Sequence, residues 1–338
     1  MVFGPGCPTR VMALIGMTSS RDYNEQVRKI NALISMDDGP DIIADLSIVS
    51  TPSPLWKHIL EAGCAAATLP VYTVKRNGPL ILPNRLLDVA VAQMEAGVGL
   101  LTIHPTPTLE IVAAARRRLT PWTSRGGGLV IGDLLARGGG ENAYLKILPE
   151  LLLAAKRHGT VLSLGASFRS ANIFDSLDRA QLAEIDFQGR LASTIDEAGV
   201  GVVIESPGHA RPADIQACAK RLAATGFPIM PLGPIPTDAA VGFDHVAAAI
   251  GATIMGMEGA AHILAAVTRE EHTGGVPSID STVEAVRAAR VAAHVIDIHL
   301  NDATQQDANI VAQRVEHRTC IAGKRTPGCD RCASTCPL

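Results

Sequence analysis

The chain has 338 residues, of which 47% are hydrophobic and 19% charged, so it can bury a large core, and one α/β barrel with appendages would use its length. Its formal net charge of -3 at pH 7 argues against a nucleic-acid surface. The first residues lack a signal-peptide core, and the most apolar stretch, 246–257, is too short to span a bilayer. We therefore expect a cytoplasmic protein with neither a nucleic-acid nor a membrane partner.

Short apolar or β-branched runs alternate with longer helical patterns along the chain. The runs predict strands at 11–15, 41–46, 66–72, 100–104, 161–165, 201–205, 229–233 and 252–257. Apolar residues that recur every three or four positions predict helices at 24–35, 84–96, 109–118, 144–157, 178–198, 212–224 and 281–299. This alternation predicts a (β/α)8 TIM barrel. The main competitor is a doubly wound open sheet, but no glycine-rich dinucleotide fingerprint follows the first strand.

The helical periodicity is lost beyond about Asp307, which indicates the start of a small C-terminal arm. We predict a barrel catalytic domain over residues 1–306 and an arm over 307–338 that carries a Cys-x2-Cys-x3-Cys motif. The motif consists of Cys329, Cys332 and Cys336, three of the seven cysteines in the chain. Three such thiolates can hold three corners of a 4Fe-4S cluster and leave the fourth iron open. A structural zinc site is the alternative, with Cys320 or His317 as its fourth ligand.

Polar side chains follow several predicted strands at the point where each strand ends. Barrel enzymes build their active sites at the carboxyl ends of the strands. A lone tyrosine or histidine at a strand end is more often structural than catalytic, so the joint pattern carries the interpretation. The residues that converge on this rim are Tyr72, His104, Arg169, Glu205 and His209, together with Asp45 and Ser47.

A glycine-rich segment, 124–128, precedes an apolar run in the middle of the chain. Its glycines, Gly126 among them, would let backbone N–H groups approach an anion, while Ser124 and Arg125 complete a phosphate cradle. Such segments are usually only turns. Together with Arg169, however, this one indicates a phosphorylated substrate.

The segment Glu205-Ser-Pro-Gly-His209 reads as a compact turn after the sixth strand. Its carboxylate and imidazole can serve as acid and base, or as a metal ligand with its supporting group. His272, after the eighth predicted strand, is a candidate second imidazole. Two neutral imidazoles would suit zinc or iron with open coordination positions.

Motifs from about residue 11 onward follow the order of one known family. The motifs are Ser163-Leu-Gly165, Arg169, Ile173-Phe-Asp175, Ala180-Gln-Leu-Ala-Glu184, Val203-Ile-Glu205, Pro207-Gly-His209, Leu232-Gly-Pro234, Thr237-Asp238, Gly242-Phe-Asp-His245, Ala249-Ile-Gly251 and the segment 268–272. Weaker matches upstream are Asp45-Leu-Ser47, Pro70-Val-Tyr72, Thr102-Ile-His104 and Ser124-Arg-Gly-Gly127. Together with the cysteine tail, they resemble the phosphomethylpyrimidine synthase (ThiC) family.

The resemblance implies a radical S-adenosylmethionine lyase on a (β/α)8 barrel, with a 4Fe-4S cluster on an arm that two protomers of a homodimer exchange. It implies an electron donor protein as partner, and a phosphorylated small molecule as substrate, either aminoimidazole ribotide or a relative with another base. The cluster ligands would be Cys329, Cys332 and Cys336. A divalent metal, zinc or iron, would lie on His209 and His272 beside S-adenosylmethionine. The residues that meet the substrate would be Tyr72, His104, Ser124, Arg125, Gly126, Arg169 and Glu205, with Glu205, Tyr72 and His104 as the catalytic groups.

Departures from the family pattern point to an altered substrate. The family has four residues between the second and third cysteines, and this chain has three. The chain also replaces polar or larger family residues by Leu14, Ala44, Ala166 and Met230. An unpaired donor costs about 1–3 kcal/mol, so we expect weaker binding of aminoimidazole ribotide.

Two biosynthetic roles and two rival functions follow. Within the family the products are a thiamin pyrimidine and a hydroxybenzimidazole for cobamides, and the shorter N-terminal region is more like the second group; the altered pocket also allows a third, unassigned reaction. One rival is a metal-dependent phosphosugar lyase or isomerase with a structural zinc tail. The other is a non-catalytic paralogue that binds a phosphorylated metabolite and senses iron or redox state.

Overall fold

The computed structural model describes residues 1–322, 332 and 335. Its centre is an eight-stranded parallel sheet in the order β7-β6-β5-β4-β3-β2-β1-β8. The strands are β1 (Arg10–Ile15), β2 (Ile42–Asp45), β3 (Ala65–Thr68), β4 (Leu100–Ile103), β5 (Val161–Leu164), β6 (Val202–His209), β7 (Ile229–Ile235) and β8 (Ile263–Ala266). The predicted (β/α)8 architecture is confirmed.

The seam between β7 and β8 is closed by a histidine. The backbone N–H of His262 donates to the carbonyl of Ile229 at 2.8 Å, and the N–H of Ile229 donates to Nδ1 of the His262 ring at 2.9 Å. The imidazole thus takes the place of a backbone acceptor where the ladder would continue. The sheet becomes a nearly closed barrel.

Helices surround the barrel. They are α1 (Tyr23–Ile34), α2 (Leu55–Glu61), α3 (Pro70–Thr73), α4 (Pro83–Glu95), α5 (Leu109–Ala115), α6 (Arg125–Ala136), α7 (Ala143–Lys146), α8 (Leu148–His158), α9 (Arg179–Glu197), α10 (Pro212–Ala223), α11 (Asp244–Met257), α12 (Ile279–Asn301) and α13 (Gln305–Glu316). Within the described part of the chain, no helix combines the length and the apolar character needed to cross a membrane.

The eighth predicted strand was wrong. Residues 252–257 belong to α11, and the eighth strand lies further on, at Ile263–Ala266. A short apolar run of small residues does not distinguish a buried helix from a strand. Glycines allow α11 to pack closely, since a Cβ at Gly251 would lie 2.0 Å from the carbonyl oxygen of Pro234, and one at Gly256 would lie 2.3 Å from Ile296.

Other local predictions also needed correction. The glycine-rich segment after Ser124, where no helix was predicted, is the first turn of α6, and the predicted turn at 205–209 is the end of β6. The predicted helix at 144–157 is split at Ile147 into α7 and α8, with a proline at the start of α8. The stretch beyond Asp307 is helical as far as Glu316, but α13 buries none of its residues.

The barrel interior is filled by side chains from alternate positions of each strand, because successive side chains of a strand point to opposite faces. Most are apolar, and they form the cluster Met12, Ile42, Ala44, Ala67, Leu100, Val203, Met230, Ile263 and Ala265. Thr102, Ser163 and Glu205 follow two positions after Leu100, Val161 and Val203 on β4, β5 and β6. Polar side chains in the interior are therefore grouped together on the neighbouring strands β4, β5 and β6.

Candidate active site

Glu205 is the centre of the polar side of the barrel. Its side chain is buried, and Oε1 accepts hydrogen bonds from Thr102 Oγ1 at 3.1 Å and Ser163 Oγ at 2.8 Å. Oε2 accepts from the backbone N–H of Ala166 at 3.3 Å. Burial raises the pKa of this carboxyl, and the hydrogen bonds from Ser163 and the charge of Arg169 partly oppose the shift. Such a carboxyl can hold a proton closer to neutral pH than an exposed glutamate.

Cationic side chains gather with Tyr72 near this carboxylate. The guanidinium of Arg125 lies 5.5 Å from the centre of the Tyr72 ring. Burial raises the pKa of Tyr72, while the charges of Arg125 and Arg169 lower it. The charge of Arg169 also contributes to the pKa shifts of His104, Glu205 and His209, and its Nη1 donates to the carbonyl of Ala166 at 3.0 Å. The structure thus brings together residues that the sequence distributes over four strand–helix units, those of β3 to β6.

His104 is enclosed by two glycines. A Cβ at Gly126 would lie 2.3 Å from His104 Nε2, and one at Gly165 would lie 2.3 Å from its Cε1. Nδ1 is 3.1 Å from Ser167 Oγ. Burial, together with the charge of Arg169, lowers the pKa of His104 to about 3. The imidazole is therefore neutral at physiological pH. Gly126, predicted as part of a phosphate cradle, also makes room for this ring.

We expect Gly126→Ala to destabilise the protein and Gly128→Ala to be tolerated. The new methyl group at Gly126 meets a buried ring that cannot move aside, which is an overpacking cost of about 1–3 kcal/mol. At Gly128 the nearest atoms are those of Trp122 at 3.8 Å, and alanine is the better helix former by up to about 1 kcal/mol. Thermal unfolding followed by circular dichroism compares the two variants, and equal melting temperatures would contradict the enclosure of His104.

Ser124 and Arg125 begin α6, but their environments differ. Ser124 is buried, and its Oγ accepts the N–H of Gly127 at 3.0 Å as the cap of α6. Arg125 is exposed and lines a cavity of about 440 Å³. Of the two, Arg125 is therefore free to meet an anion, and the Ser124 hydroxyl is already engaged in the cap.

His209 and His272 lie in contact, although 63 positions separate them in the sequence. Their ring centroids are 4.7 Å apart in an edge-to-face arrangement. Nδ1 of His209 is hydrogen-bonded to Asp238 Oδ1, and Nδ1 of His272 to Asp244 Oδ1. Asp238 Oδ2 also accepts the N–H of Ile173 at 2.9 Å, which fixes that carboxylate. Both rings line one cavity of about 400 Å³.

This pair has the features of a metal site with two protein ligands. A carboxylate at Nδ1 fixes the tautomer that leaves Nε2 free to bind a metal, as second partners of ligating histidines do. Among the described residues, neither Nε2 has a hydrogen-bond partner. Burial and the neighbouring His272 lower the pKa of His209, which favours the neutral ring, although Asp238 opposes this. The part of the chain that the structure describes holds no group of three or more potential ligands, so water or substrate would complete the coordination.

We expect Asp238→Asn to weaken metal binding by about 10–100-fold, because the supporting carboxylate orients the ligand and raises its basicity. Asp244→Asn should act similarly through His272. Metal titration of the chelated protein, with Asp196→Asn on the exposed surface of α9 as the control, measures the effect. Unchanged affinity in both variants would contradict a metal on this pair.

Two buried carboxylates near the site have structural partners, and one of them was missed in the sequence. Glu184 on α9 accepts the N–H groups of Ser167 at 2.8 Å and Phe168 at 2.7 Å, and thus holds the loop that carries Arg169. Burial raises its pKa to about 7. Asp45 accepts the N–H of Trp56 at 3.0 Å at the start of α2. Asp45 therefore lies at the end of β2 as a structural residue that stabilises the start of α2.

These carboxyls and histidines predict opposing effects of pH on stability. The pKa values of His104, His209 and His262 are lowered by burial, so below about pH 6.5 the unfolded chain binds protons that the folded one does not, and acid destabilises. Glu184 has a pKa of about 7 in the folded protein and 4.5 in the unfolded chain. Between these values the folded protein binds the additional proton, so a fall in pH stabilises it. We therefore expect Glu184→Gln to lose stability more steeply than wild type between pH 7 and 4.5. Melting temperatures across this range test the difference, and parallel curves would refute it.

The predicted cluster cysteines lie mostly outside the described residues. Cys329 and Cys336 are outside them, and Cys332 is described as a partly buried thiol. Cys320, the alternative zinc ligand, is exposed. The cluster therefore stays a prediction from the sequence.

A family model described as the radical SAM ThiC family matches residues 1–321. The chain belongs to this family. It is thus a radical S-adenosylmethionine enzyme on a TIM barrel, and the resemblance found in its motifs is confirmed. Two of the four substituted residues adjoin Glu205, and the other two are paired with each other on β1 and β2. Leu14 is paired with Ala44 across β1 and β2, Met230 is paired with Glu205, and Ala166 donates to its carboxylate.

Curated relatives carry two different names. The chain is 33% identical over 309 residues to the phosphomethylpyrimidine synthase of Desulforamulus reducens, and the match covers 88% of this chain and 70% of the relative. It is 35% identical over 301 residues to that of Archaeoglobus fulgidus, covering 86% and 69%. It is 33% identical over 309 residues to the 5-hydroxybenzimidazole synthase BzaA of Eubacterium limosum, covering 87% and 71%.

Proposed function

We propose that the protein is a radical S-adenosylmethionine lyase that rearranges a phosphorylated ribose-type substrate, aminoimidazole ribotide or a relative with a different base. The product would serve the biosynthesis of a thiamin pyrimidine or a cobamide benzimidazole. The proposal rests on one observation above all. In a member of the radical SAM ThiC family, a buried carboxylate, a partly buried tyrosine, a neutral histidine and two arginines lie at the mouth of the barrel.

Each side chain has a role that its environment supports. Arg125 and Arg169 would bind the phosphate, since guanidinium groups match phosphate oxygens in charge and geometry. Tyr72 and neutral His104 would orient the ribose through hydrogen bonds. Glu205, whose pKa is raised by burial, would hold or release a proton at its carboxyl as the ring rearranges. The enclosed barrel interior would keep water away from the reacting atoms.

The cofactors follow from the family and the tail. Cys329, Cys332 and Cys336 would hold a 4Fe-4S cluster, and an electron donor protein would reduce it. When bound, the cluster supplies the electron that cleaves S-adenosylmethionine to methionine and a 5′-deoxyadenosyl radical. His209 and His272 would hold a divalent metal, zinc or iron, in the adjoining cavity. We propose a cytoplasmic homodimer, since the family exchanges its cluster arm between protomers.

Anaerobic reconstitution tests the function. The protein is loaded with iron and sulfide, reduced, and supplied with S-adenosylmethionine and aminoimidazole ribotide. We expect a broad brown absorbance and the formation of 5′-deoxyadenosine, measured by liquid chromatography and mass spectrometry. A loaded, reduced cluster that yields no 5′-deoxyadenosine, with or without the ribotide, would overturn the radical assignment.

The same preparation separates a second candidate, a metal-dependent phosphosugar lyase or isomerase. The paired histidines and their carboxylates favour it, since they could hold a divalent metal whose chemistry needs no radical. This candidate requires a colourless zinc-loaded protein that turns over in air and is inactivated by chelation. Activity only in the reduced, brown protein would exclude it.

A further inference from the structure

Gln188 is a fully buried residue of α9 that contacts the backbone of β5 and β6. Its Nε2 donates to the carbonyl of Leu164 at 2.8 Å and to that of Glu205 at 3.1 Å. The carbonyl of Gly165 lies 3.4 Å from the same nitrogen. One side-chain amide therefore connects the end of β5 to the residue of β6 that lies at the centre of the candidate site.

The amide lies where the pairing of β5 with β6 stops. Leu164 and Ile204 form the last pair in register, and the next link between the two segments is the bridge of Ser170 to Gly208. Between these points the chain leaves the sheet as a loop. Buried carbonyl groups need a donor, and the two hydrogens of the Gln188 amide supply one to each strand.

The oxygen of the same amide is left without a partner among the described residues. It is buried and accepts no hydrogen bond there. The opposite orientation of the amide would direct this oxygen at carbonyl oxygens, so the neighbouring carbonyls of Leu164 and Glu205 fix the orientation. An unsatisfied buried oxygen destabilises a folded protein. Local conflicts of this kind are expected at functional sites, where the geometry matters more than the stability.

The backbone that Gln188 binds also carries donors of the Glu205 carboxylate. Ser163, the residue before Leu164, donates its hydroxyl to Oε1 at 2.8 Å, and Ala166 donates its N–H to Oε2 at 3.3 Å. Both donors lie within two residues of a carbonyl that the amide binds. The amide therefore limits how far the carboxylate and these donors can move apart.

We propose that Gln188 is a positioning residue that holds Glu205 against its donors at the end of β5. The inference rests on the proposed function, because it takes Glu205 as the acid or base. Without the amide, the carbonyls of Leu164 and Glu205 no longer share a donor group, and the two segments can separate. The hydrogen bond from the N–H of Ala166 is already long, so it is lost first. A displacement of about 1 Å can lower a rate about 10²-fold.

Gln188→Leu tests the proposal, because leucine is similar in size and has no donor. We expect single-turnover formation of product at saturating substrate to fall at least about tenfold, with the cluster content matched. Backbone hydrogen exchange, followed by mass spectrometry of peptides that cover residues 164–170, should become faster, while peptides from β1 and β2 keep the wild-type rate. Wild-type turnover, or unchanged exchange at 164–170 in the folded variant, would overturn the inference.

Further variants separate positioning from stability. Gln181 is a second buried amide of α9, but its Nε2 donates to the carbonyl of Pro207 at 2.7 Å and its Oε1 accepts the N–H of Leu177 at 2.8 Å. Gln181→Leu should therefore lower the melting temperature more than Gln188→Leu, which also removes an unsatisfied oxygen. Equal falls in melting temperature, with wild-type turnover in Gln188→Leu, would show a structural role only. Ser193→Ala on the exposed face of α9 is the control for turnover and exchange.

If Gln188→Leu does not fold, Gln188→Met carries the comparison, because its flexible side chain fills irregular space without a donor. Hydrogen exchange needs neither cluster nor substrate, so it is independent of the proposed reaction. A wild type that forms no 5′-deoxyadenosine would overturn the proposed function, while faster exchange at 164–170 in the variant would still support the role of the amide. A wild type that turns over, with a variant that matches it, would overturn the inference alone.

Discussion

Replacement of Cys332 by alanine is expected to remove the brown chromophore and to abolish 5′-deoxyadenosine formation. A cubane cluster with one open iron needs all three protein thiolates, so the loss of one leaves two corners without a ligand. Cys329→Ala and Cys336→Ala should have the same effect. Iron and sulfide content, visible absorbance and 5′-deoxyadenosine are measured after identical anaerobic reconstitution.

Cys320→Ala is the matched control, since it removes a thiol just upstream of the motif. The radical assignment predicts that this variant keeps its cluster and its activity. The zinc alternative has Cys320 or His317 as its fourth ligand, so Cys320→Ala or His317→Ala should then release zinc, as should the loss of any tail cysteine. A full iron complement in Cys332→Ala would contradict the three-cysteine cluster.

Glu205→Gln is expected to reduce turnover by about 10²–10⁴-fold, the range usually lost with a positioned acid or base. Glutamine nearly preserves the shape of the side chain, and its amide oxygen can still accept from Thr102 and Ser163, so that only the long 3.3 Å hydrogen bond from the N–H of Ala166 is lost. It cannot take up or release the proton. Single-turnover formation of product, at saturating substrate and with the cluster content matched, measures the effect on the chemical step.

Glu184→Gln provides the comparison, because Glu184 is a second buried carboxylate with a raised pKa. Its oxygens accept from backbone N–H groups of Ser167 and Phe168, so the amide of glutamine would place a donor against a donor. We expect this variant to lower the melting temperature more than turnover, and Glu205→Gln to do the opposite. A Glu205→Gln enzyme with more than a tenth of the wild-type turnover would show that the carboxylate is not an acid or base.

The alternation of strands and helices was readable from the sequence because the strands are buried on both faces and the helices that pack on the barrel bury one. The eighth strand was misplaced because α11 is apolar and rich in small residues around much of its surface, and periodicity does not separate such a helix from a strand. No helix was predicted at α6, because the glycines at its start disfavour a helix. Only the fit of Gly126 and Gly127 against His104 and Ser167 shows why they stand there.

The sequence predicted which residues of the candidate site follow the strand ends, but not the hydrogen bonds that connect them. Tyr72, His104, Arg169 and Glu205 were identified because carboxyl ends of parallel strands meet at one rim. The groups that tune them were missed. Asp238 and Asp244 occur in motifs noted for their resemblance to the family, but nothing in those motifs assigns them to the histidines.

The sequence alone determined the barrel class, the family and the cysteine motif, because these depend on local periodicity and on the order of short motifs. Tertiary structure decided which partners each group has. Asp238 meets His209 across 29 positions, Asp244 meets His272 across 28, and His104 meets Ser167 across 63. Hydrogen bonding and burial of this kind arise only when distant strands are brought side by side. The same closure joins Thr102, Ser163 and Glu205, which lie on three neighbouring strands, by hydrogen bonds.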